Sequence, residues 1–198
     1  MNAADEKWRL FVAISVPPEV KEAIGDVQKE LRRELRDGAF RWTVPAQLHL
    51  TLRFLGSVRQ EQVSDLVQTL EKLCRRLEPM RLRAEGLGVF PNERRPRVVW
   101  AGVRTLEGDL STLQRKIQEE TLKFTNEPPE ESFRVHLTLG RAKVCRTSDI
   151  RVLGELMKRF THVEMGEWRA SQVQLIRSYL SPSGSRHETI TRAGLGSW

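Results

Sequence analysis

Hydrophobic residues alternate with polar ones in some stretches of the chain and recur every three or four positions in others. Alternation predicts β-strands, because successive side chains of a strand point to opposite faces. A recurrence of three or four positions predicts amphipathic helices. Strands are expected at 8–16, 48–54, 80–84, 98–103, 133–139, 163–168 and 172–180, with a short extended piece at 40–44 and an edge strand at 187–191.

The helical periodicity is found in four segments, at 20–35, 63–77, 106–124 and 153–160. These helices alternate with the strands, but the chain lacks the Gly-rich turn of a dinucleotide-binding βαβ unit. No linker-like or low-complexity stretch divides it. We therefore expect an α+β fold in two similar halves, forming a single domain over residues 1–198 with loose termini at about 1–7 and 192–198.

Composition excludes several classes of protein. With 198 residues, 39% of them hydrophobic and 30% charged, the chain has enough apolar material for one core. No run approaches the roughly 20 apolar residues of a membrane span, so no membrane partner is expected. The two cysteines, Cys74 and Cys145, cannot form a disulfide framework, which favours a reducing, cytoplasmic location.

The charge of the chain is strongly basic. Its formal net charge is +7, and of its 33 basic residues 8 are lysines and 25 are arginines. Arginine offers a planar donor fork that suits phosphate groups, which favours a nucleic-acid or nucleotide partner. A biased genomic base composition also replaces lysine by arginine, so the charge alone leaves both interpretations open.

A repeated motif is the most informative feature of the sequence. His49-Leu50-Thr51-Leu52 returns as His136-Leu137-Thr138-Leu139, 87 residues later. Both copies fall in predicted strands, where residues two apart share a face about 6.6 Å from one another. In each copy the histidine and the threonine therefore share one face, while the leucines are expected to lie in the core.

Two imidazoles in one cleft suit acid–base chemistry at a phosphate, because histidine populates both protonation states near neutral pH. The hydroxyls of Thr51 and Thr138 can donate hydrogen bonds to phosphate oxygens. A metal site is less well supported, because neither motif brings a second ligand. The remaining candidate ligands show no ligand spacing and are expected to be surface histidines and core or half-exposed thiols, so we expect neither metal nor cofactor: His162, His187, Cys74 and Cys145.

The paired motifs resemble those of the two-histidine phosphoesterase superfamily and, within it, of the RNA 2′,3′-cyclic phosphodiesterases, also known as 2′-5′ RNA ligases. The similarity extends from about residue 8 to 180. It is carried by RLFVAI at 9–14, RW at 41–42, LHLTLRFLG at 48–56, GLGVFP at 86–91, RVVW at 97–100 and FRVHLTLGR at 133–141. Two positions depart from the family pattern: Val135 stands where proline is frequent, and His187 where tyrosine is frequent.

The resemblance implies a bilobal α+β fold, in which two antiparallel sheets with flanking helices are related by a pseudo-twofold around a central cleft. It implies metal-independent hydrolysis of RNA 2′,3′-cyclic phosphate ends to 2′-phosphates, with weak reverse 2′-5′ ligation. RNA is then the partner, and a monomer is expected. Two alternatives stay open: a phosphodiesterase for a small cyclic nucleotide or 2′-5′ oligoadenylate, and a non-catalytic RNA-binding module.

The resemblance also implies substrate contacts for Phe54 and Arg141, five residues after the two motif histidines. On a regular strand an odd offset places a side chain on the opposite face, which would send Phe54 to the core and Arg141 away from the cleft. Gly140, however, permits a bulge that resets the alternation. We therefore predict that Arg141 lies at the cleft rim, and that Phe54 lies there as a stacking platform, with a core position as the alternative.

Overall fold

The computed structural model describes residues 6–181 and 184–196. Within these ranges the predicted alternation of strands and helices is confirmed. The strands are β1 (Lys7–Ser15), β2 (Phe40–Trp42), β3 (His49–Arg59), β4 (Met80–Phe90), β5 (Val98–Glu107), β6 (His136–Ala142), β7 (Glu164–Ala170), β8 (Gln172–Ser181) and β9 (Gly184–Gly194). The helices are α1 (Pro18–Glu34), α2 (Val63–Cys74), α3 (Leu110–Thr121) and α4 (Thr147–Phe160).

Local sequence explains where the helices begin. α1 starts with Pro18, whose fixed backbone angle suits the first helical turn. The Asp109 carboxylate accepts a hydrogen bond from the Thr112 N–H at 2.9 Å and caps α3. None of the helices in the described ranges is long and apolar enough to cross a membrane.

The strands form one curled antiparallel sheet in the order β7-β4-β5-β6-β3-β1-β8-β9, with β2 paired to β6. The two motif strands, β3 and β6, lie at the centre, and three strands extend outward from each. They are joined through a single pair of residues, Leu50 and Leu137. The two antiparallel sheets expected from the sequence are thus two halves of one sheet, because the leucines that follow the motif histidines pair across the junction.

The helices cover one face of the sheet and bury its apolar side chains. Leu50, Leu52, Leu137 and Leu139 are all fully buried in this core. The opposite face carries a small separate cluster of Phe11, Ala13 and Ile176, on the side to which His49 and Thr51 project.

The expectation of loose termini is wrong for the part of them that the structure describes. Lys7 begins β1, and β9 continues through residues 192–194. Leu195 follows in the core at 5% exposure, and its N–H donates to the Ser171 carbonyl at 2.8 Å. Residues 192–195 are held in place because the apolar Ala193 and Leu195 pack into the core. Residues 1–5 and 197–198 lie outside the described ranges.

Candidate active site

The two copies of the motif meet at the centre of the sheet. Each histidine is the first residue of its strand, His49 of β3 and His136 of β6. The antiparallel pairing of Leu50 with Leu137 sets His49 beside Thr138 and His136 beside Thr51. The four side chains predicted to carry the chemistry are therefore brought together on one face, although 87 residues separate the motifs.

Both imidazoles are held in the same way. His49 Nδ1 lies 2.7 Å from the Gln47 carbonyl, and His136 Nδ1 lies 2.6 Å from the Arg134 carbonyl. A carbonyl only accepts hydrogen bonds, so Nδ1 carries the proton in each ring. This fixes the tautomer and leaves Nε2 as the nitrogen available for proton transfer at both sites.

Burial lowers the pKa of both imidazole rings. Desolvation lowers the pKa of His49 to about 4, against the opposing effect of its hydrogen bond to Gln47. The positive charges of His187 and Lys21 lower the His49 pKa further. Desolvation also lowers the pKa of His136, and the charge of Arg141 acts in the same direction.

Each histidine is flanked by aromatic rings from neighbouring strands. The ring centroid of His49 lies 4.8 Å from that of Phe11. The ring of His136 lies 4.9 Å from Phe90 and 6.4 Å from Trp100. Sequence analysis assigned no site role to these three aromatics. The signal for Phe11 was available, because it is a large apolar residue on the face opposite to Leu10, Val12 and Ile14.

His187 is also part of the site, and the expectation that it is a surface histidine is wrong. Its ring lies 5.3 Å from His49 and 5.1 Å from Phe11, edge-on to both. Burial lowers the pKa of His187. β9 pairs with β8, which itself pairs with β1. This pairing brings His187 to the face of the curled sheet that carries His49 and His136, which we call the cleft face. By contrast His162 is exposed, Cys74 is buried and Cys145 is half-buried, as expected.

Two equivalent bulges decide where Phe54 and Arg141 lie. The β1–β3 register skips Leu52, and the β5–β6 register skips Leu139, three residues after each histidine. Each bulge reverses the alternation, so the residue five positions after the histidine returns to the cleft face. Phe54 is 47% exposed with its ring 5.9 Å from Phe11, which excludes the alternative core position. Arg141 is exposed and close enough to lower the pKa of His136.

Polar groups on the cleft face are available to a ligand. No hydrogen bond to the hydroxyl of Thr51 or Thr138 is formed from elsewhere in the described ranges. Arg134 adds a cation at the rim, where its guanidinium lies 5.6 Å from the centre of the Phe90 ring. Among residues 6–181 and 184–196, no group of three or more His, Cys, Asp or Glu side chains is placed to hold a metal ion.

Comparison of the sequence with known proteins identifies the family to which this fold and site belong. A model of the LigT-like phosphoesterase family matches residues 14–100. The RNA 2′,3′-cyclic phosphodiesterase of Methanothermobacter thermautotrophicus is 35% identical over 178 residues, which cover 90% of this chain and 94% of that protein. The chain belongs to the LigT-like phosphoesterase family, a family of hydrolases, and is an enzyme of that kind.

Other relatives agree over nearly the whole chain. The RNA 2′,3′-cyclic phosphodiesterase of Archaeoglobus fulgidus is 32% identical over 182 residues, covering 92% of this chain and 97% of that protein. The crystal structure of TT0787 of Thermus thermophilus superposes with a TM-score of 0.79 at 29% identity, and covers 95% of this chain and 98% of that one. The similarity therefore includes both motif strands and both halves of the sheet.

Proposed function

We propose that this enzyme hydrolyses RNA 2′,3′-cyclic phosphate ends to 2′-phosphates, with His49 and His136 as the general acid–base pair. The observation that carries the proposal is the matched placement of the two imidazoles. Each presents Nε2 on the same face while its Nδ1–H is bonded to a carbonyl two residues upstream. Relatives that share both halves of the fold are named RNA 2′,3′-cyclic phosphodiesterases.

The reaction needs one proton removed and one supplied. Nε2 of one histidine takes a proton from water as the water oxygen bonds to phosphorus. The P–O3′ bond breaks on the opposite side, and the Nε2–H of the other histidine gives its proton to O3′. The product is a 3′-hydroxyl beside a 2′-phosphate, and atoms and charges balance without any other reagent.

Other side chains of the site bind the substrate and do not transfer protons. Charge builds up on the non-bridging phosphate oxygens in the transition state, where hydroxyl donors placed in advance stabilise it most. Thr51 and Thr138 flank the histidines across the β3–β6 junction and supply these donors. Arg141 contributes positive charge at the rim, and the exposed ring of Phe54 offers a surface on which a base can stack.

The same groups support metal-independent catalysis and a weak reverse reaction. Proton transfer and charge stabilisation are both assigned to side chains of this chain, so no step requires a Lewis acid. A 5′-hydroxyl in place of water would attack the same phosphorus and form a 2′-5′ linkage.

The test is an RNA oligonucleotide that ends in a 2′,3′-cyclic phosphate, incubated with EDTA-treated enzyme. Phosphorus NMR of the product should show a 2′-phosphate. His49→Ala and His136→Ala should each reduce kcat by about 10²–10⁴-fold, because each removes one positioned acid or base. His162→Ala, an exposed histidine away from the cleft, is the matched control. Near-native turnover by His49→Ala or His136→Ala would contradict the proposal. Activity that EDTA abolishes and a divalent ion restores would also contradict it.

A further inference from the structure

Two arginines face each other at one end of the cleft. β2 pairs with β6 so that Arg41 lies directly opposite Arg141, flanked by the pairs Phe40–Ala142 and Trp42–Gly140. Residues that are opposite in an antiparallel ladder project from the same face, with Cα atoms about 4.5–5.5 Å apart. Both arginines are exposed.

The neighbouring side chains show which face this is. Trp42 packs against the core and fills the space that a Cβ on Gly140 would occupy. Because side chains alternate, Arg41 lies on the other face, which is the cleft face. Arg41 Nη2 also comes within 3.1 Å of the position that a Cβ on Gly184 would take, so the guanidinium reaches β9, the strand that carries His187.

Within the part of the chain that the structure describes, neither Arg41 nor Arg141 forms a salt bridge, although both are exposed. Like charges directly opposite one another destabilise a ladder. The outer strands also place arginines opposite one another, Arg83 opposite Arg104 and Arg81 opposite Arg169. There, however, Arg81, Arg83 and Arg104 each form a salt bridge with a glutamate. Arg41 and Arg141 therefore form a site of concentrated positive charge that an anion would relieve.

We infer that Arg41 and Arg141 form a second phosphate site, which binds the phosphodiester on the 5′ side of the nucleotide whose cyclic phosphate lies between the histidines. The inference rests on the proposed function and deepens it by naming a second phosphate of the substrate and the residues that bind it. A nucleoside 2′,3′-cyclic phosphate has no second phosphate, whereas an RNA end always has one. The enzyme is therefore built for RNA ends rather than for small cyclic nucleotides.

The spacing fits such a site. Arg141 follows His136 by five residues, at most about 16 Å along a strand at roughly 3.3 Å per residue. The long arginine side chains and the sugar of one nucleotide together span this distance. Two guanidinium groups also offer paired donors in the fork geometry that phosphate oxygens accept.

Three substrates isolate the second phosphate: a nucleoside 2′,3′-cyclic phosphate, the same compound with a 5′-phosphate, and a dinucleotide with a 2′,3′-cyclic end. We expect kcat/KM of the wild type to be about tenfold or more higher for the last two than for the first, because each adds a charge-assisted contact. Arg41→Gln should bring this ratio toward one. Arg41→Lys, which keeps the charge but loses the fork, should give an intermediate ratio.

Arg33→Gln is the matched control, since Arg33 is an exposed arginine on α1 and its loss removes the same charge. This variant should keep the wild-type ratio. An Arg41→Gln enzyme that retains the full ratio, or that loses the same factor on all three substrates, would overturn the inference. In either case hydrolysis by the wild type would leave the proposed function standing.

Binding of a dinucleotide that already ends in a 2′-phosphate tests the site without turnover. The slope of log K against log salt should become shallower by about 0.7 in Arg41→Gln, the loss expected for one single-strand phosphate contact. An unchanged slope would overturn the inference. If the wild type hydrolyses none of the three cyclic substrates, the proposed function fails, whereas the salt slope still reports on the second phosphate site.

Discussion

The two halves of the sheet, one with His49 and one with His136, have the same backbone geometry around the histidine. They differ in the side chains that surround it. Both rings donate Nδ1–H to a carbonyl two residues upstream, and both strands bulge three residues after the histidine. The ring of His49 contacts Phe11 and His187, with Lys21 nearby. The ring of His136 instead contacts Phe90 and Trp100, and its nearby cation is the exposed Arg141.

The two bulges also present different residues. Four positions after the histidine, the first half has the buried Arg53 and the second has Gly140, where a Cβ would overlap Trp42. Five positions after it, the first half has the aromatic Phe54 and the second the charged Arg141. The repeat thus fixes the backbone around both imidazoles, while the residue five positions after each histidine is aromatic in one half and cationic in the other.

The largest effect on stability is expected at Arg53. Its guanidinium donates to the carbonyls of Pro128 and Glu127 at 2.7 and 2.8 Å, and so ties β3 to the segment that leads into His136. Arg53→Met keeps most of the volume but removes both charge-assisted hydrogen bonds. We expect the free energy of unfolding to fall by about 3 kcal/mol, measured by urea denaturation.

Arg59→Met is the control for this variant, because Arg59 lies on the same strand with an exposed ion pair to Glu61. Exposed ion pairs contribute little to stability, so Arg59→Met should lower the free energy of unfolding by less than about 1 kcal/mol. Equal effects of the two substitutions would show that Arg53 does not tie the halves together.

Arg53 also shows where prediction from sequence ended. Periodicity located the strands and helices, and the repeat located the four motif side chains, because both signals are local. Gly140 gave a local reason to expect the second bulge. Nothing in Leu52-Arg53 signalled the first bulge, which depends on pairing with β1. Alternation alone would have placed Phe54 in the core, and its position at the rim was predicted from the family resemblance. His187 was missed for a similar reason, because only the pairing of β9 with β8 brings it to His49.

The next largest effect is the response of the two halves to acid. The folded protein holds the His49 pKa at about 4, below the ordinary value near 6.5, so the unfolded state binds this proton first as the pH falls. Stability is fully present above about pH 6.5 and is lost as the pH falls toward 4. At pH 4.5 the loss from His49 is about 2–3 kcal/mol relative to pH 7.5. His136 contributes in the same direction.

Denaturation of the wild type and of His49→Gln at both pH values measures this contribution, which the variant should lack. If the variant loses as much stability as the wild type, His49 does not carry the desolvation cost. The same shifts predict that kcat/KM is bell-shaped in pH and that its maximum lies below pH 6.5, because both rings titrate below their ordinary range. A maximum above pH 7 would contradict the depressed pKa values.

Phe54 and Arg141 should have smaller effects, and these should differ in kind. Phe54→Ala and Arg141→Ala should each weaken binding of a 2′-phosphorylated dinucleotide by about tenfold, through loss of stacking or of a phosphate contact. Both residues are exposed, so the melting temperature should hardly change. Only Arg141→Ala should reduce the salt dependence of binding, by about 0.7 in the log–log slope. If Phe54→Ala reduces this slope as well, the assignment of stacking to Phe54 and of a phosphate contact to Arg141 is wrong.

The smallest effect is expected at His187, which separates charge from packing beside His49. A positive charge on His187 lowers the pKa of His49, although burial is the larger cause. His187→Gln removes the titrating ring and should move the acid limb of kcat/KM slightly to higher pH, because the His49 imidazolium is then less disfavoured. His187→Phe keeps an aromatic ring against His49 and Phe11 and should retain the wild-type melting temperature better than the glutamine variant. An acid limb that moves to lower pH in His187→Gln would contradict this prediction. It would show that the His187 ring stabilises the imidazolium of His49 and so raises the His49 pKa.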